Sequence, residues 1–296
     1  MRIAVSTDSG SGISQEESKA LGIRVVPMPF RIDGEEYFEG VNLTREEFFE
    51  KLKTDCDVAT SQPSPEDVMK TWDELLEEND AVVHVPLTSG LSGSTQTAIM
   101  LSQDDKYEGK VFVADSRGVS VVQRQHCIFA KELGEKGYSG AEIRDILNRD
   151  AAANTIFLGL DTLKYLKKGG RITPMAAAIG TLLHIKPVLS IVKGGKLDSY
   201  TKVRTTKQMK EAIIAGLKAD LAEKHNDPEM KNCYVAVAYT DNKEQAEKFA
   251  EELAAEFPNR LNPEIVVDPL SLLVSCHVGQ NGLGGAVIER PKELMD

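Results

Sequence analysis

Ala81-Val82-Val83-His84-Val85-Pro86-Leu87-Thr88-Ser89-Gly90-Leu91-Ser92-Gly93-Ser94-Thr95 begins as an apolar, β-branched run and ends as a loop of hydroxyls and glycines. The run reads as a buried strand that stops at Pro86. The loop then opens a helix, expected over Ser94 to Ser102. Glycine lets a backbone approach a ligand closely, and free N–H groups at a helix start favour an anion. In open α/β folds, ligands bind beyond the carboxyl ends of the strands. The segment therefore suits a small anionic group held by neutral donors. The same Ser and Thr residues also serve as ordinary helix caps, and both readings stand at this point.

Outward from this segment, strands and helices alternate. Strands are expected at Arg2–Ser6, Ile23–Val26 and Lys110–Ser116. Helices are expected at Ser14–Leu21, from the capping box Thr44-Arg45-Glu46-Glu47 through Lys53, after Ser64-Pro65, and over Val119–Lys136 and Ser139–Ala153. Repeated βα units imply a doubly wound, mainly parallel sheet with helices on both faces.

Beyond residue 153 the pattern changes. Strands are expected at Ile156–Leu160, Pro187–Val192, Leu197–Val203, Tyr234–Thr240, Ile265–Val267 and Leu283–Glu289. Lys193-Gly194-Gly195-Lys196 is a hairpin signal. Helices are expected at Leu163–Lys168, from Thr173-Pro174 through His184, and over Thr206–His225 and Lys243–Phe257. An apolar strand is expected just before His277. The expected organisation is an α/β chain of two domains. Residues 1–153 form an α/β/α domain, and residues 154–296 form an α/β domain with a mixed sheet.

Composition removes several function classes. The net charge is 35 − 46 = −11, which argues against nucleic acid as a partner and against anionic membrane surfaces. No apolar run is long enough to span a bilayer; the nearest, Pro174 to Val192, is interrupted by His184, Lys186 and Pro187. The N-terminus lacks a signal-peptide core. Cys56, Cys127, Cys233 and Cys276 are widely spaced and show no metal-binding pattern, so reduced thiols in a cytoplasmic protein are expected, with no metal and no cofactor.

Three enzyme motifs are near misses. Gly90-Leu91-Ser92-Gly93-Ser94 falls one residue short of the Gly-x-Ser-x-Gly nucleophile elbow. No Gly-Lys-Ser/Thr follows to make a phosphate loop, and the dinucleotide fingerprint at Gly10-Ser11-Gly12 fails at Gln15.

The separated motifs Thr7-Asp8-Ser9, Thr60-Ser61-Gln62-Pro63-Ser64, Ser89-Gly90-Leu91-Ser92-Gly93, Asp115-Ser116, Leu163 through Ile172 with its Tyr-Leu-x-x-Gly-Gly-Arg-Ile core, Ile185-Lys186-Pro187 and His277-Val278-Gly279 occur in one order along the whole chain. Together they resemble the DegV family, whose better-understood members are bacterial fatty-acid-binding proteins serving fatty acid kinase. The resemblance implies a non-enzymatic carrier. One long-chain fatty acid would be held with its carboxylate at the domain interface and its tail in an apolar tunnel. A separate kinase would phosphorylate the carboxylate, feeding phospholipid synthesis.

It also implies roles for residues. Thr60, Ser92 and His277 fall on the carboxylate-binding positions, and no residue is assigned a catalytic role. Ser61, Ser89, Gly90, Gly93, Gly279, Arg171 and Arg204 fall beside the site or toward the kinase. Phe30, Leu158, Ala178, Ile179, Leu182 and Leu270 are candidate tunnel walls, with Ile32, Leu160 and Leu273 as further ones. The helix carrying Met175 through Leu183 is apolar nearly all round, which is equally the mark of buried core. One departure is visible: the family's His-x-Gly-Pro-Gly is here His277-Val278-Gly279-Gln280-Asn281-Gly282, with Gln280 for proline and one residue more. Two other readings remain: a serine hydrolase using Ser92 and His277, and the substrate-binding subunit of a system like dihydroxyacetone kinase, whose fold the family's resembles.

Overall fold

The computed structural model describes residues 1–54, 56–179, 185–192, 194–258, 261 and 264–295, without the side chains of Ala178 and Ile179. Leu182, Leu183, His184 and Lys193 lie outside the described residues. The chain divides into two compact units. One comprises Met1–Arg45, Asp57–Ala152 and Pro291–Asp296; the other comprises Glu46–Cys56 and Ala153–Arg290.

In the first unit the strands are β1 (Ile3–Asp8), β2 (Ile23–Val26), β3 (Phe30–Ile32), β4 (Glu35–Tyr37), β5 (Val58–Thr60), β6 (Ala81–Val85) and β7 (Val111–Val113). The main sheet runs β2-β1-β6-β7 and every pairing in it is parallel. All five residues of β6 are buried, as a strand covered on both faces must be. On one face the helices Pro65–Leu76 and Ser94–Ser102 close a core of Val26, Val68, Trp72, Val82, Ala98, Tyr107 and Val111. The helices Val121–Glu135 and Gly140–Asp150 bury Phe129, Leu133, Ile143 and Leu147. Trp72 is fully buried, edge-on to Tyr107 at 5.3 Å and to His84 at 5.5 Å. A small antiparallel sheet, β4-β3-β5, was not expected; it carries Phe30 and Thr60 opposite one another.

In the second unit the strands are β8 (Thr155–Gly159), β9 (Lys186–Ile191), β10 (Leu197–Val203), β11 (Cys233–Tyr239), β12 (Val266–Pro269) and β13 (Leu283–Glu289). They form one sheet, β10-β9-β8-β13-β11-β12, antiparallel except for the parallel β11–β12 edge. The helix Thr206–Glu223 lies so close to it that glycines are required. A Cβ on Gly159 would stand 2.4 Å from Met209 Sδ, and one on Gly216 would stand 2.6 Å from the Phe157 ring.

Three sequence expectations need correction. The segment before His277 is not a strand: Leu272–Val278 is helical, capped by Ser271, whose side chain accepts from Val274 N–H. The helix from Pro174 is described only through Ile179 and is not apolar core all round, since Met175 is 70% exposed while Ala176 is buried. The strand expected at Lys110–Ser116 is only Val111–Val113. Asp115 and Ser116 are thereby freed for the loop beyond it. Among the described residues no helix is long and apolar enough to cross a membrane.

Tyr107→Ala removes the buried ring that meets Trp72 edge-on, at an expected cost of about 3–5 kcal/mol. Urea unfolding followed by the fluorescence of Trp72, the only tryptophan, measures this loss directly.

Candidate functional site

The base of the loop after β6 is a buried carboxylate. Asp8, at the end of β1, is fully buried and accepts from Gly10 N–H at 2.9 Å, Leu87 N–H at 2.9 Å and the Gln123 amide at 3.0 Å. Burial raises its pKa despite these donors. Leu87 is thereby fixed, and its carbonyl in turn accepts from the Thr95 hydroxyl at 2.8 Å. The loop is closed at both ends before any ligand is considered.

Within the loop the N–H groups are largely engaged. Ser89 gives both its N–H (3.3 Å) and its hydroxyl (2.5 Å) to Asp115. Gly90 N–H donates to Thr88 Oγ1, and the N–H groups of Leu91 and Ser92 donate to the Thr88 carbonyl. The expected cradle of free loop N–H groups is therefore mostly filled by the loop itself. What remains chemically useful is the Ser92 hydroxyl. It accepts from Ser94 N–H at 3.2 Å and keeps its own proton to donate. Ser92 is half-buried.

Gln62 joins the Thr60 segment to this loop. Its Oε1 accepts from the Thr97 hydroxyl at 3.2 Å, and a Cβ on Gly93 would come within 2.9 Å of it. Gly93 is thus the residue that lets Gln62 close on the loop. Thr60 is half-buried at the end of β5, and the exposed Ser61 is anchored through its N–H to the Pro29 carbonyl. The structure therefore brings the Thr60–Gln62 and Ser89–Gly93 segments together within the first unit. Gln62 was not singled out from sequence. Its position between Thr60 and Pro63 was the available signal.

The second unit gathers the other named residues around His277. The helix Lys164–Gly169 ends at Gly170, which has φ +70°. It packs on the helix Leu272–Val278 so tightly that a Cβ on Gly169 would stand 2.2 Å from His277 Nδ1. Gly279, with φ +79°, has no room for a Cβ either, since the Tyr165 ring would be 2.6 Å away. The Arg171 guanidinium donates to the Gly169 carbonyl. Burial first, and the Arg171 charge second, lower the His277 pKa to about 4. At neutral pH the imidazole is uncharged beside a permanent cation. Arg204, by contrast, is exposed at the end of β10, and its backbone N–H donates to Gln208.

The loop with Gln280 in place of proline is pinned by side chains. Gln280 Nε2 donates to the Phe49 carbonyl at 3.4 Å. Asn281 N–H donates to Asp241 at 2.7 Å, and Asn281 Nδ2 donates to Asp161 at 3.0 Å. Of the candidate wall residues, Phe30 and Ile32 are buried in the first unit, and Leu158, Leu160, Leu270 and Leu273 in the second.

A family model described as an uncharacterised protein of the DegV family matches residues 2–290. A DegV domain-containing protein of Staphylococcus aureus is 32% identical over 96% of this chain and 98% of its own length. A fatty-acid-binding DegV family protein of Thermus thermophilus has a solved structure that superposes with a TM-score of 0.87 at 30% identity, covering 98% of this chain and all of that one. A stearic-acid-binding protein of Eubacterium ventriosum superposes with a TM-score of 0.85 at 26% identity, covering 99% of this chain and 100% of that one.

Because His277 is neutral when folded and has an ordinary pKa when unfolded, its contribution to stability is intact above pH about 6.5 and is lost as pH falls to about 4. An NMR titration of the His277 ring should show a midpoint near 4. Gly169→Ala, which displaces the ring, should raise that midpoint toward 6.5. Arg171→Gln should raise it less, since burial is the larger cause.

Proposed function

This chain belongs to the DegV family, and from that premise we propose that it binds one long-chain fatty acid and presents the carboxyl group to a separate fatty acid kinase. The observation that carries the proposal is full-length likeness to solved family members that bind fatty acids, at 30% and 26% identity. The site chemistry supports it. In this reading Ser92 and Thr60 form one set of carboxyl-binding donors and His277 another. Ser61, Gly90 and Gly93 shape the first set, and Gly279 shapes the second.

Neutral donors suit such a ligand. A bidentate arginine would hold a carboxylate tightly and draw off the electron density with which it must attack a phosphoryl group. Hydroxyls and a neutral imidazole orient the group and leave it nucleophilic. Arg171, with Lys167 and Lys168 in the preceding turn, supplies positive charge for the kinase or the transferring phosphoryl group. Apolar residues then hold the tail, each buried methylene contributing about 0.8 kcal/mol. The chain itself acts as carrier, in the cytoplasm, with phospholipid synthesis downstream.

The hydrolase reading is disfavoured by one feature. A nucleophile elbow sets its serine on a strained strand-to-helix turn. Ser92 is instead seven residues past the end of β6 and is not among the residues with positive φ.

Denaturing extraction of the purified protein should yield about one long-chain fatty acid per chain by mass spectrometry. Extracts without lipid, from protein that also fails to take up added fatty acid, would overturn the proposal.

Ser92→Ala and Thr60→Val should each weaken fatty-acid binding by roughly 1.5–3 kcal/mol, the range for a hydrogen bond to a charged group. His277→Ala should depress kinase-dependent acyl-phosphate formation more than binding. Arg171→Ala should keep the lipid and slow phosphorylation. Unchanged affinity and turnover in the hydroxyl variants would remove those two residues from the site.

A further inference from the structure

At the Cys233 end of β11, three side chains of different chemistry converge. Cys233 on β11 and Glu289 on β13 are direct cross-strand partners in the antiparallel register, an arrangement that sets the two Cβ atoms about 4.5–5.5 Å apart on one face. His225, just past the helix Thr206–Glu223, reaches the same point. One ligand atom from each, His225 Nδ1 or Nε2, Cys233 Sγ and a Glu289 oxygen, lies within 4.8 Å of the others. None of the three belongs to the fatty-acid reading.

The hydrogen bonds around His225 fix which nitrogen faces the cluster. Thr155 donates its hydroxyl proton to Asp220 at 2.6 Å. Its oxygen can then only accept from His225 Nε2, at 3.2 Å. The Nε2 position therefore carries a proton, and Nδ1 faces Glu289 Oε2, 2.9 Å away. Without a metal the pair shares a proton, as a histidine and a carboxylate in contact do; a divalent ion would take that proton's place. The His225 side chain is fully buried, whereas that of Glu289 is 38% exposed. The cluster thus has a solvent-side entrance and a rigid floor.

We propose that His225 Nδ1, Cys233 Sγ and Glu289 form a binding site for a divalent ion of the zinc class, with water completing the shell. One imidazole, one thiolate and one carboxylate match zinc's borderline character. Around a tetrahedral ion with bonds of about 2.0–2.3 Å, ligand atoms stand about 3.3–3.6 Å apart. Closing on the metal therefore takes shifts of about 1 Å, which the half-exposed Glu289 side chain can supply. On binding, the Cys233 thiol proton and the proton between His225 Nδ1 and Glu289 pass to solvent, and sulfur–metal, nitrogen–metal and oxygen–metal bonds take their place. Asp227 is not a ligand in this arrangement: its carboxylate accepts the N–H groups of Lys231, Asn232 and Cys233 and shapes the turn that delivers the thiol. Thr155 and Asp220 hold the histidine from behind, which fixes the orientation of the ring. The ion would join the end of the long helix to two strands of the central sheet.

The test uses the full chain, stripped with chelator and titrated with cobalt(II) alone, then with zinc(II). Wild type should develop a thiolate-to-cobalt absorption band that saturates at one equivalent and is abolished by zinc. Cys233→Ser should lose the band. Glu289→Gln, at a half-exposed position, should weaken cobalt binding at least about tenfold. Thr155→Val should weaken it by about 10- to 100-fold without touching a ligand. Fatty-acid content should be the same in all of them. No band in wild type at excess cobalt, or a band that survives in Cys233→Ser, would overturn the proposal. So would unaltered cobalt affinity in both Glu289→Gln and Thr155→Val.

Discussion

The Asp8 carboxylate is the constraint on which the loop after β6 rests. A buried charge without partners costs several kcal/mol, so its surroundings are obliged to supply donors. They come from three separate places: the turn after β1, the loop after β6, and the helix Val121–Glu135. Each partner is thereby located relative to the others. Gln123 extends the network by donating also to Thr7 Oγ1 and the Val85 carbonyl. Leu87 then serves as the anchor for Thr95, and the first turn of the helix Ser94–Ser102 is tied down through it. The reach of Ser92 follows from a chain of satisfied polar groups that begins beneath it.

The second unit reaches the same end by steric means. His277 sits where Gly169 has no side chain, and Gly279 gives the same room to the Tyr165 ring. Two glycines let two short helices close on one another, and the closing helices strip water from the imidazole. That loss of water, with Arg171 behind it, keeps the ring neutral. In the proposed function, a neutral ring can accept or donate one proton to the carboxyl group. A charged one would compete with any incoming cation. The Gly-Gly-Arg run is thus one device: its first glycine admits the ring, its second ends the helix with positive φ, and its arginine sets the local potential.

The strand β6 and the helix after it were legible because four apolar residues around His84, a proline and a hydroxyl-glycine run leave little choice of structure. The glycines of Leu163 through Ile172 were legible as a helix end for the same reason. Less was legible where local signals were weak or ambiguous. Glu35-Glu36-Tyr37 has no apolar alternation, so β4 and the small sheet it joins were invisible; only pairing with Phe30 and Ile32 makes it a strand. Leu272 through Val278 is short and apolar, and periodicity cannot separate strand from helix in such a run. The cap at Ser271, directly after Pro269 and Leu270, was the discriminating signal. Ser89 shows the limit of reading a motif by composition: its hydroxyl belongs to Asp115, which lies 26 residues away in sequence. No local pattern announces that bond. The cluster at His225, Cys233 and Glu289 was hidden likewise, since 64 residues separate its outer members and only the β11–β13 register unites them.

The Gln280 loop shows how a departure from a family pattern can be absorbed. Proline stiffens a turn by fixing φ and by narrowing the unfolded ensemble. This chain lacks it and has an additional residue. The turn is instead held by three hydrogen bonds: Gln280 to the Phe49 carbonyl, Asn281 N–H to Asp241, and the Asn281 side chain to Asp161. Asn281 occupies φ +56°, a region asparagine tolerates better than most residues. Asp161 is also paired with Lys186, so the turn is tied to β9 as well as to the helix Arg45–Leu52. Local covalent stiffness has been replaced by a network that spans the unit. His277, one turn earlier on a helix whose last N–H bond is Gly279 to Ser275, keeps its place because the chain beyond it is held from three sides.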